Sequence, residues 1–261
     1  LRQVMNRNLL IAICLFALNA MGETPCDKTL SAGVAEFKAA YQAWDGTRFS
    51  AASELFRQTT TNACASATHF YWLGASEFHV MLQLQHSPGS ATNKAAAEKA
   101  LGAALEALSQ AVKLDEKHAE SHALIGTLYG MKINGSALRG AWFGPRLVRH
   151  RDLAVALGAE NPRVHYLIGM CQYHTASTPT AWKEALTTLL AAEKLFETES
   201  KHANHTIAPR WGRSSCLTFI GQTYERLGQK VKAAEYFRRA LEEHAADHLA
   251  KAGLQRVTGN K

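Results

Sequence analysis

The chain has 261 residues, 47% hydrophobic and 20% charged, with 29 Lys+Arg against 22 Asp+Glu for a formal net charge of +7. That balance excludes a disordered polyelectrolyte and a bundle of membrane spans, and six prolines with eighteen glycines exclude a collagen-like or linker-dominated chain. The wealth of Ala, Leu, Glu, Lys and Gln points to an all-α protein.

In chain order, Arg2 and Arg7 precede an uncharged run from Leu9 to Leu18, followed by small residues and Pro25. Basic, apolar, then small is the order of a secretory signal peptide, with cleavage expected after Gly22. The apolar run is about ten residues, roughly half of what a spanning helix needs. Two segments are therefore expected: a signal peptide over 1–22 and a helical repeat domain over 23–261, periplasmic or secreted, with no transmembrane span after cleavage. An uncleaved anchor is the alternative. Cleavage removes Arg2, Arg7 and Cys14, lowers the net charge from +7 to +5, and leaves Cys26, Cys64, Cys171 and Cys216. An even number of cysteines in an exported chain permits two disulfides.

Helical periodicity then begins with a pair of segments over about Thr29–Trp44 and Phe49–Thr60, with Gly46 at their turn. Phe70-Tyr71-Trp72-Leu73-Gly74 opens the next helix, and after His86–Asn93 a partner runs over Ala97–Leu114 with Ala104, Leu108 and Ala111 inward. His122-Ala123-Leu124-Ile125-Gly126 lies in a third such helix, after which Gly130–Pro145 makes the joint longer than its counterparts and reads as an insertion. His165-Tyr166-Leu167-Ile168-Gly169 marks another, followed by Trp182–Phe196 with Ala185, Leu189 and Ala192 inward, and then an insertion over about Thr198–Pro209. Ser214–Glu243 is two amphipathic helices joined around Gly228, and His248–Val257 forms a last, capping helix.

The segment Ser214–Glu243 resembles a tetratricopeptide repeat. Leu217, Ile220, Gly221, Tyr224, Ala233, Phe237 and Ala240 stand where that 34-residue pattern needs small or apolar side chains for two antiparallel helices to cross closely. Gly74, Gly126 and Gly169 repeat the Gly221 signature upstream. The resemblance implies an all-α, α-α superhelical solenoid of four to five hairpins with insertions. Phe143-Gly144-Pro145, Asn161-Pro162-Arg163 and Pro209-Arg210-Trp211-Gly212 also resemble exported bacterial repeat proteins. In the hairpin layout Cys26 and Cys64 flank the first pair of helices and are the disulfide candidates, whereas Cys171 and Cys216 are offset by about seven residues, roughly 10 Å along the axis.

The same resemblance assigns one face of each first helix to a concave groove, here Tyr71, Phe78, His79, Arg163, Tyr166, Met170, Tyr173, His174 and Arg226. Rigid aromatic rings and Met in a concavity suit a protein or peptide partner; the competing reading is that insertions fill the groove and bury these rings. The lysines and asparagines of the carboxylate clamp found in co-chaperone repeats are missing. The sequence expectation is a non-catalytic protein- or peptide-binding scaffold of the cell envelope, with no cofactor and no metal. The alternative is a small-molecule or ion-binding subunit using the groove and the 130–145 insertion, near Trp142, Phe143 and Arg146. His118 with His122 and His244 with His248 are four apart, but lack the further ligands of a metal motif. Arg139, Arg146, Arg149, Arg151 and Arg163 form a basic window with Asp152 and Glu160. Export argues against nucleic acid there and leaves an anionic ligand, a membrane surface or a solvated face. No nucleophile elbow, P-loop or dinucleotide fingerprint is present, so no enzyme is expected.

Overall fold

The computed structural model describes residues 25–61, 65–87, 92–201 and 207–259. Those residues form helices and connecting turns, with no strand among them. In chain order the helices are α1 (Pro25–Ala43), α2 (Gly46–Thr60), α3 (Ala67–His86), α4 (Lys94–Leu114), α5 (Ala119–Ile133), α6 (Ala137–Leu157), α7 (Pro162–Thr175), α8 (Pro179–Ser200), α9 (Arg213–Arg226), α10 (Lys230–Glu243) and α11 (His248–Thr258). Short polar caps set several starts. Asp45 accepts from Thr47 N at 2.8 Å to open α2, and Asn161 and Thr178 cap α7 and α8 just before a proline at the first helical position.

Consecutive helices pair as antiparallel hairpins, and α5, α7 and α9 lie side by side as the first helices of successive hairpins. This is the expected α-α superhelix, built of five hairpins and the capping helix α11. The repeated glycine explains how the helices approach. A Cβ on Gly74 would lie 2.5 Å from Leu108 Cγ, one on Gly169 2.7 Å from Leu189 Cγ, and one on Gly221 2.8 Å from the Phe237 ring. Any side chain there would force the hairpin apart. At Gly126 the nearest atom is Arg151 N at 3.5 Å, so a Cβ there would meet only ordinary van der Waals contact.

One expectation about chain order is corrected. Residues 130–145 are not an insertion: α5 continues to Ile133, Asn134 and Gly135 turn the chain at φ 41° and 71°, and Ser136 caps α6. Pro145 lies inside α6 on its exposed side, where the carbonyl it orphans one turn earlier can face water. Phe143 stacks on Tyr129 of α5 with ring centroids 5.8 Å apart and anchors the helix that the local sequence disfavours.

The array also closes on itself. Tyr41 of α1 hydrogen-bonds Ser215 of α9 at 3.0 Å and stacks on His244 at 5.5 Å, while His244 Nε2 donates to Gln42 O at 3.0 Å. Trp44 meets His248 of α11 at 5.8 Å. The first hairpin therefore packs against the last.

Candidate functional site

The concave side has two unlike ends. At one end the chain between α8 and α9 returns to the interior. Trp72 Nε1 donates to Ile207 O at 3.0 Å, Gly212 N to Tyr41 Oη at 3.3 Å, and Trp211, only 3% exposed, lies edge-on to His79 at 5.1 Å. Trp211 Nε1 donates to Tyr71 Oη at 3.0 Å; Tyr71 Oη in turn donates to Glu120. Glu120 also accepts from Arg163 Nε at 2.7 Å and from Asn161 Nδ2 at 2.8 Å, and Arg163 reaches on to Glu199 through both terminal nitrogens.

These groups satisfy one another. Burial alone would favour neutral Glu120, but Arg163, Tyr71 and Asn161 outweigh it and hold its pKa below the ordinary carboxylate value. Burial likewise opposes the charge on Arg163, and Glu120 and Glu199 overcome it. Burial and the Glu120 charge push the Tyr71 hydroxyl well above its usual value. His79 is driven down to about 4 by burial, with its Nδ1 bonded to Ala75 O at 2.7 Å.

The groove expectation is therefore corrected for Tyr71, His79 and Arg163. Each is buried, at 1%, 2% and 3% exposure, because residues 207–212 and the neighbouring helices cover the face they occupy. The competing reading, a groove filled by an insertion, describes this end.

At the other end a cavity of about 1110 Å³ remains. Its walls come from the first helices α3, α5, α7 and α9 and from Leu147, Arg151 and Val155 of α6, and α11 with the end of α10 closes it. Of the residues assigned to the groove, Phe78, Tyr166, Met170 and His174 line this space, joined by Leu82, Thr127, Met131 and Phe219. Tyr173 sits beside the cavity with its ring edge-on to Phe219 at 5.5 Å. Arg226 is exposed, bonded to Tyr173 and stacked over Trp182 at 5.9 Å. From the 130–145 segment only Gly130, Met131, Asn134 and Gly135 reach the wall; Trp142, Phe143 and Arg146 lie off it.

The lining is mostly apolar, with a histidine-rich rim of His86, His174, His244 and His248. His86 and His248 have ring centroids 5.4 Å apart. Burial lowers the pKa of His86, His174 and His244, and neighbouring imidazoles lower His86 and His244 further, so these rings favour the neutral form with one donor and one acceptor each. His248 Nε2 and Gln172 Oε1, both at the cavity, are buried and have no hydrogen-bond partner among the described residues. Sequence reasoning names His174 but misses the other rim histidines, because it reads His244 and His248 only as a possible metal pair, and His86 as the start of a loop.

No group of three or more His, Cys, Asp or Glu placed to hold a metal ion occurs among the described residues. His118 caps α5 by accepting from Ser121 N, and His122 Nδ1 lies 2.9 Å from His150 Nδ1. Cys171 and Cys216 are free thiols; burial raises the pKa of both. Cys26 is disulfide-bonded, while its expected partner Cys64 and the segment 1–22 lie outside the described residues. No described helix is long and apolar enough to cross a membrane.

Among solved structures the chain is similar to TTC0263, a thermophilic TPR protein of Thermus thermophilus. The TM-score is 0.62 at 14% identity, over 89% of this chain and 98% of that one. It is similar too to the HusA haemophore of Porphyromonas gingivalis, with a TM-score of 0.59 at 16% identity over 79% of this chain and 96% of that one. Both likenesses concern the fold. No curated protein sequence matches the chain. The sequence profile of the regulators of microtubule dynamics does match, over residues 37–254, from α1 to α11, and the chain belongs to the regulator of microtubule dynamics protein 1-3 family.

Proposed function

We propose that the protein is a non-catalytic binding scaffold that seats a small ligand with a mainly apolar body in the cavity bounded by α3, α5, α7, α9 and α11. The observation that carries this reading is the cavity itself. At about 1110 Å³ it is just above the roughly 300–1,000 Å³ of common small-molecule pockets, with a mostly apolar wall and a few convergent polar groups. Apolar surface left inside a folded array is costly unless something covers it. A hydrogen-bonding end on the ligand would face the neutral histidines and the two unpartnered atoms, His248 Nε2 and Gln172 Oε1. Tyr71, Glu120 and Arg163, whose ionisation is displaced, are engaged with one another, which supports a structural rather than a catalytic role for them.

A protein partner is the second reading. The family description, regulation of microtubule dynamics, favours it. Residues 207–212 occupy one end of the concave side, so such a partner would engage the outer face instead of lying along an open groove. Export through a leader at 1–22, to a periplasmic or secreted location, stays part of the proposal; the amino-terminal sequence of the protein recovered from cells distinguishes cleavage from a retained anchor.

Native mass spectrometry of the gently purified protein tests the cavity. We expect a bound small molecule in the wild type and its loss in Thr127→Trp, which fills the wall between α5 and α7. A wild type free of adduct that also ignores an anilinonaphthalene sulfonate probe would remove the reading.

A further inference from the structure

We propose that the outward face of α6 docks on an anionic phospholipid surface. Little of this helix is covered. Of its 21 residues only Ala154 is buried, whereas α4, of the same length and the same place in its hairpin, buries eight. α6 rests on α5 through Phe143 and Leu147 and touches α7 only slightly.

The uncovered side is not a plain solvated face. Leu138 is 83% exposed and Trp142 69%, and their spacing of four places them one above the other. Arg149, seven residues beyond Trp142, continues that stripe, and Arg139 and Arg146 run along one side of it. The Arg146 guanidinium lies over the Trp142 ring at 5.7 Å. Among the described residues no carboxylate pairs with Arg139, Arg146 or Arg149; the one acid of the helix, Asp152, is held by Arg151 at 2.8 Å.

Two exposed apolar side chains beside three arginines without a carboxylate partner match the boundary layer of a bilayer. There an indole sits at headgroup level, a leucine reaches the acyl chains, and guanidinium groups meet lipid phosphates and carboxylates. Phosphate on a nucleic acid would answer the arginines and leave Leu138 in water. A protein partner would need holes for its own side chains, and this face is one side of a single helix whose five named residues lie off the cavity lining. Charge complementarity and shape together select the lipid surface.

Flotation of the full chain with vesicles tests this, comparing pure phosphatidylcholine with vesicles containing 30% phosphatidylserine. Binding to the anionic vesicles should exceed binding to the neutral ones by at least about tenfold and should fall with salt, since each arginine near the surface contributes roughly a fivefold factor. Arg139→Gln with Arg146→Gln and Arg149→Gln should lower anionic binding by roughly a hundredfold. Leu138→Ser with Trp142→Ser should lower it at least about tenfold. All five positions are exposed, so both variants should keep the wild-type circular dichroism and melting temperature. Because the variants leave residues 1–22 intact, any contribution of that segment to vesicle binding is common to all three proteins. Variants that float like the wild type would overturn the proposal, as would equal binding to both vesicle types. Binding of polyglutamate through the same arginines, without anionic vesicle binding, would assign the face to an acidic protein instead. The Thr127→Trp variant should float normally, which separates this proposal from the cavity reading.

Discussion

The two ends of the concave side are built from the same helices and repeat positions, yet one is solid and the other hollow. At the solid end Trp211 and the Tyr71–Glu120–Arg163–Glu199 chain occupy the space between α3, α5, α7 and α8. At the hollow end Thr127, Met131 and Met170 stand on the same helices α5 and α7, about two turns further along, and face a void. A repeat position does not itself make a binding surface. It becomes core where the chain returns to cover it and a candidate ligand seat where the chain does not.

The largest expected effect breaks the solid end. Arg163→Met leaves Glu120 buried without its cation and should cost roughly 3–5 kcal/mol in urea unfolding, as removal of one partner of a buried pair does. Met170→Ala at the hollow end loses contacts on a side chain that already borders empty space, so its cost should be about 1 kcal/mol, below the usual range for a fully enclosed methionine. Equal losses would mean that the two ends are packed alike.

Acid sharpens the same contrast. His79 sits at the solid end among Phe37, Phe49, Phe78 and Trp211, with its pKa lowered from 6.5 to about 4 by burial. The unfolded chain takes up this proton more readily than the folded one. The stability His79 contributes is therefore fully present above about pH 6.5 and is lost as the pH falls through about 4, on the order of 3 kcal/mol in all. Melting temperatures measured from pH 7 to pH 4 should show this slope, and His79→Phe should flatten it. An unchanged slope would shift the pH dependence to the rim histidines of the hollow end.

Adding one methyl group reads the hairpins individually, and one of these changes is the smallest effect expected. Gly74→Ala and Gly169→Ala should each cost about 1–3 kcal/mol, because Leu108 and Leu189 stand within 2.8 Å of the new carbon. Gly126→Ala, with 3.5 Å of clearance, should be neutral or stabilising by up to about 1 kcal/mol through helix propensity. Denaturant midpoints check all three. A destabilised Gly126→Ala would show that α6 is held more tightly than its exposure indicates.

The hairpins, their order and their close contacts were legible in the sequence because a glycine facing Leu108, Leu189 or Phe237 leaves a local and repeating trace. α6 was not, since Gly140, Gly144 and Pro145 are breakers by local preference, and its contacts with α5, such as Phe143 on Tyr129 and His150 on His122, show why a helix persists there. Phe78, Tyr166, Met170 and His174 line the cavity, with Phe78 and Tyr166 nearly closed over by their neighbours, while Tyr71, His79 and Arg163 share that side and are buried away from it.

Sequence alone determined the all-α repeat architecture, because 3.6-residue periodicity and small residues at crossing points are properties of neighbours along the chain. Tertiary structure alone decided which part of the concave side is filled. Trp211 meets Tyr71 across 140 residues, Gly212 meets Tyr41 across 171, and His244 meets Gln42 across 202. Contacts at such separations leave no period to read, since they exist only once the superhelix has brought its two ends together.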